Sequence, residues 1–62
     1  MKKEWLIELR KRKGFSQSQL AREIGMSQQL VSKVENGECP SVSTAKRIAK
    51  FLEFEWTLLF EE

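Results

Sequence analysis

A chain of 62 residues buries only about 60% of the surface its unfolded form exposes, which argues against a deep substrate cleft. It contains no histidine and one cysteine, Cys39, so an intrachain disulfide and a Cys/His zinc site are both excluded, and cysteine catalysis lacks an activating base. The net charge of +2 hides a division: residues 1–33 hold eight Lys/Arg against three Glu, whereas residues 34–62 hold three basic and six acidic side chains, so one positive surface can face a polyanion.

Gly14, Gly25, Gly37 and Pro40 punctuate the chain, and no strand-like alternation survives between them. The first segment, about residues 2 to 12, reads as a helix with Leu6 and Leu9 on its inner face. Lys2 and Lys13 extend that stripe through their stems, and Trp5 and Ile7 point off it. The second helix starts at Ser16, with Gln19 three residues on in capping-box register, and turns Leu20, Ala21 and Ile24 inward. Gly25 is the expected left-handed terminator, and Met26 plugs the gap before the next segment.

Ser27 caps the third helix, whose apolar face is Val31 and Val34 and which stops at the glycine of "ENG". Ser41 caps the fourth, where Val42, Ala45, Ile48, Ala49 and Leu52 recur at three- and four-residue spacing. The tail "FEWTLLFEE" reads as a fifth short helix with Phe54, Leu59 and Phe60 as core candidates, leaving Trp56 and Leu58 outward. The expectation is one all-α domain over residues 1–62, built from five short helices.

Helices two and three, joined by a short glycine-containing turn, have the spacing of a helix-turn-helix. With Val31 and Val34 turned inward, Gln28, Gln29, Ser32 and Lys33 share the outward face. A glutamine amide donates to and accepts from adenine at once, and a lysine donates to guanine O6 and N7. These are side chains suited to reading base edges from a helix in the major groove. A carboxylate in the same place would be repelled by the phosphates. Leu30 is open between a helix-edge contact and a thymine methyl.

The stretch "FSQSQLAREIGMSQQLVSKVENGECPSVSTAKRIAKFL" resembles the phage-repressor and Cro type of helix-turn-helix, also called the XRE family, through "SQxxLAxxIG", "VSKVENG" and "PSxxTxxxIAxxL". The resemblance runs from about Leu6 to Phe60 and implies a compact five-helix, lambda-repressor-like DNA-binding domain. It further implies that Gln17 and Asn36 contact phosphates, that Gln28 and Gln29 read bases, and that Lys33 meets a base or a phosphate. By the same resemblance, backbone amides around Ser41 and Ser43 close on the DNA backbone. Arg10 and Glu35 match a pair that ties the first helix to the recognition helix, with Arg10 also a candidate for a phosphate. Lys2 and Glu55 depart from the family pattern, at positions away from the reading helix.

The function expected is therefore sequence-specific binding of double-stranded DNA by a transcriptional regulator, a homodimer on a palindromic operator, with repression the commoner outcome in the family. No cofactor or metal is called for. Trp56, Leu58, Trp5 and Ile7 either shield core edges or form a self-association surface; Trp56 and Leu58 are the expected dimer contact, since members of the family often dimerise through the fifth helix and the loop before it. An antitoxin or a restriction-modification controller would use the same domain. A protein-interaction module would instead bind a partner through Trp5, Ile7 and Trp56, without affinity for DNA. Enzyme chemistry has no support in the residues. No apolar run approaches the ~20 residues of a membrane span, and "MKKEW" lacks a signal-peptide core, which points to the cytoplasm.

Overall fold

Serines and glycines set the helix boundaries in the computed structural model, which describes residues 2–61. Its elements are α1 (Glu4–Arg12), α2 (Gln17–Ile24), α3 (Gln28–Glu35), α4 (Val42–Leu52) and a closing 3-10 helix (Trp56–Phe60). No strand occurs among the described residues. Ser16 Oγ accepts from the Gln19 amide at 3.1 Å while Gln19 Oε1 accepts from the Ser16 amide at 2.9 Å, completing the capping box. Ser27 and Ser41 likewise accept from the amides of Leu30 and Thr44, each at 3.2 Å.

Gly25 takes φ +73°, and the Met26 amide returns to Ala21 O at 2.8 Å, so the chain reverses within one residue of α2. A Cβ there would sit 3.6 Å from Arg47 Nη1, an ordinary contact. It is the left-handed dihedral, not crowding, that selects glycine. After α4 the equivalent left-handed residue is Glu53, at φ 63° and ψ 59°, where a Cβ costs roughly 1–2 kcal/mol.

The core joins Leu6 of α1, Leu20, Ala21 and Ile24 of α2, Val31 and Val34 of α3, Ala45, Ile48 and Leu52 of α4, and Leu59. Ala21 is small enough to let α2 and α3 approach, and this pair packs more extensively than any other. Met26, Leu30, Leu9 and Phe15 pack around the cluster as half-buried side chains, which places Leu30 at the helix edge. Phe15 meets Phe51 edge-on with centroids 4.9 Å apart, closing the α1–α2 loop over α4.

Four expectations are corrected. Helix α1 begins at Glu4, so Lys2 lies outside it and is exposed rather than part of an inner stripe. Val42, at the first position of α4, is 48% exposed; the buried side chains at that end of the helix are Pro40 and Thr44, whose hydroxyl accepts from Ser41 Oγ at 3.0 Å. The last element is a 3-10 helix, and its three residues per turn align Trp56 with Leu59 and turn Phe60 off their face, where an α-helix would bring Phe60 onto it beside Trp56. Leu59 is accordingly fully buried and Trp56 half-buried against the core, while Phe60, expected inside, is exposed.

Trp56 is held from two sides: Lys46 Nζ lies 5.3 Å from its ring centroid, and Phe60 meets it edge-on at 5.8 Å. Trp5 packs edge-on against Phe54 at 5.1 Å. Leu58 remains exposed, as expected.

Candidate nucleic-acid interface

Helix α3 divides into two faces. Val31, Val34 and Glu35 are at most 2% exposed, so positions i, i+3 and i+4 all turn inward. Gln28, Gln29, Lys33 and Asn36 are exposed, and Ser32 is half-buried at their margin, 3.5 Å from Asn36 Nδ2. The diameter of an α-helix with its side chains, about 10–12 Å, fits the width of a B-DNA major groove, about 12 Å. Gln28 and Gln29 occupy the first turn of α3, where a helix entering the groove end-on meets base edges first.

Behind that helix lies a buried polar network. Arg10 Nε donates to Glu35 Oε2 at 2.6 Å, and Arg10 Nη1 donates to the carbonyl of Phe15 at 2.7 Å. Gln17 Nε2 donates to Glu35 Oε1 at 2.8 Å, and the Lys3 amide donates to the Glu35 carbonyl at 2.8 Å. Glu35 thus connects α1, the α1–α2 loop and α2 to α3. Arg10 is buried and turned into this network, which leaves little of its charge for a phosphate.

The remaining site residues flank α3. Half-buried Gln17 opens α2, and exposed Ser41 and Ser43 sit at the start of α4. Ser41 spends its hydroxyl on the cap and on Thr44, so the groups left at that helix start are backbone amides. The Gln17–Glu35 bond was not anticipated from sequence, although Glu35 at i+4 from Val31 already falls on the inward face. Arg47 was also missed: its Nη1 donates to the Ile24 carbonyl at 3.2 Å, bracing the end of α2 just before the turn. An arginine on the outer face of a later helix carries no such signal in sequence.

A family profile described as "Helix-turn-helix" matches residues 6–59. The chain is 36% identical, over 63 aligned positions, to the "Uncharacterized HTH-type transcriptional regulator YqaF" of Bacillus subtilis (strain 168), an alignment covering all of this chain and 83% of that protein. It is also 48% identical over 54 residues to the "HTH-type transcriptional regulator SlrR" of the same organism, covering 84% of this chain and 36% of SlrR. No solved structure matches the chain.

Proposed function

This chain belongs to the XRE-type helix-turn-helix family and is a DNA-binding transcriptional regulator, and on that premise we propose that it acts as a homodimer on a two-fold operator, repressing by occupying it. The observation that carries the reading is the division of α3: Glu35 and the valines bind it to the domain, and the side chains left outward are amides, a hydroxyl and one ammonium. Gln28, Gln29, Ser32 and Lys33 read base edges. Gln17, Asn36 and the backbone amides around Ser41 and Ser43 grip phosphates and set the helix in register.

One reading helix covers few base pairs, so useful specificity calls for two half-sites with centres about 34–36 Å apart. A domain 25 Å in its longest dimension can be set at that spacing by direct contact between two copies. Exposed Leu58, with the open edge of half-buried Trp56, is the contact we assign. These apolar groups lie in the acidic half of the sequence, apart from the basic half that faces DNA.

The test is selection of bound duplexes from a random pool, followed by binding of variants to the selected site and to random sequence. Gln28→Ala, Gln29→Ala or Lys33→Ala is expected to cost about 1–3 kcal/mol on the selected site and to relax preference at one position per half-site. Gln17→Ala and Asn36→Ala should weaken both duplexes alike. Equal losses on both duplexes for Gln28→Ala and Gln29→Ala would remove α3 as the reading helix.

A further inference from the structure

A glutamate buried directly behind the proposed DNA-reading helix has to be explained, because its charge opposes the phosphates. An ion pair that served only to fasten α1 to α3 would need no further donor on the carboxylate. The Arg10 fork reaches both oxygens of Glu35, Nε donating to Oε2 at 2.6 Å and Nη2 to Oε1 at 3.4 Å, yet Oε1 takes its shorter bond, 2.8 Å, from Gln17 Nε2. The other terminal nitrogen of Arg10 turns away to the Phe15 carbonyl.

We propose that Glu35 is a positioning residue for DNA binding, holding the Gln17 amide in the orientation in which it meets a backbone phosphate. The inference rests on the phosphate contact of Gln17 proposed above. A carboxylate accepts and cannot donate, so the NH2 end of the Gln17 amide is the end that faces it. One hydrogen of Nε2 is used by Glu35, and the second is left for a phosphate oxygen. The Arg10 guanidinium neutralises the carboxylate, so the orienting group adds no net negative charge beside the DNA. Gln17 therefore reaches DNA with its side-chain freedom already reduced in the free protein. Gln28 and Gln29, both exposed, have no side-chain hydrogen bond among the described residues and must be ordered on binding.

The predicted consequence is coupling. Ordering one flexible side chain at an interface changes affinity by about 2- to 12-fold. Binding of a selected duplex is measured for wild type, Gln17→Ala, Glu35→Gln and the double variant. The cycle cancels the extra positive charge that Glu35→Gln leaves on the protein. Gln17→Ala is expected to cost less, by about that factor, when Glu35→Gln is already present. Equal cost in both backgrounds overturns the positioning role and leaves the phosphate contact standing. No cost in either background removes the phosphate contact itself, and the inference with it. Because Glu35→Gln can unfold the domain, side-chain amide 15N relaxation of the free wild-type protein provides a second measurement. The Gln17 amide should be rigid on the nanosecond scale where those of Gln28 and Gln29 are mobile, and equal mobility at all three overturns the proposal.

Discussion

Removing the Glu35 carboxylate should bring the domain close to its unfolding threshold. Glu35→Ala strips Arg10 of its partner at 2.6 Å and leaves a guanidinium, buried to within 8% of full coverage, with the Phe15 carbonyl as its remaining acceptor. Breaking a buried pair in this way costs about 3–5 kcal/mol, because the surviving charge is desolvated without compensation. A domain of this length has roughly 3–9 kcal/mol in total, at about 0.05–0.15 kcal/mol per residue. The variant should therefore lose at least about a third of its stability, and all of it at the low end of that range. Replacing both members, as Arg10→Met with Glu35→Met, removes the stranded charge and keeps much of the volume, so it should recover most of the loss. The Phe15 carbonyl and the Gln17 amide lose their partners in that variant, but both bonds are only part-buried and water can replace them. Urea unfolding followed by far-ultraviolet circular dichroism reads all three proteins on one scale. A loss under about 1 kcal/mol for Glu35→Ala, or a double variant less stable than Glu35→Ala, would refute the reasoning.

At the α4 terminus, Glu53→Gly should raise stability by about 0.5–1 kcal/mol. It relieves left-handed strain against the entropy of glycine and the exposed Lys13 contact at 3.3 Å, and a lowered thermal midpoint would contradict this. DNA affinity should fall with salt at a log-log slope of about −0.9 per phosphate neutralised, measured by titration of a selected duplex, and a flat response would favour a protein-binding role. Leu58→Arg should leave the helix content intact while weakening binding to a full palindrome far more than to an isolated half-site, with sedimentation reporting the loss of dimer. Trp56→Arg should instead also destabilise the monomer, because that ring packs on the core and under Lys46; a fully stable Trp56→Arg protein would count against this packing.

Local chemistry accounts for most of what could be read directly. Serine caps at Ser16, Ser27 and Ser41, left-handed glycines at Gly25 and Gly37, and the inward spacing of Leu20, Ala21, Ile24, Val31 and Val34 depend on groups within a few residues of one another. Once Val31 and Val34 are inward, helical geometry places Gln28, Gln29 and Lys33 outward, so the exposed face of α3 was legible from the same pattern.

The tail was misread because helical period is not a local property of "WTLLF". An α turn would bring Trp56, Leu59 and Phe60 onto one face, whereas the 3-10 turn that packs against α4 aligns Trp56 with Leu59 and carries Phe60 outward. Glu53 in a left-handed conformation is another such case, since nothing in its side chain favours that dihedral and the packing on either side imposes it. The donor shared between Glu35 and Gln17, 18 residues apart, and the brace from Arg47 to Ile24, 23 apart, depend on where three helices cross. Sequence spacing carries the faces of each helix; which side chain meets which carboxylate oxygen is fixed by distances between helices, and those exist only after the core has closed.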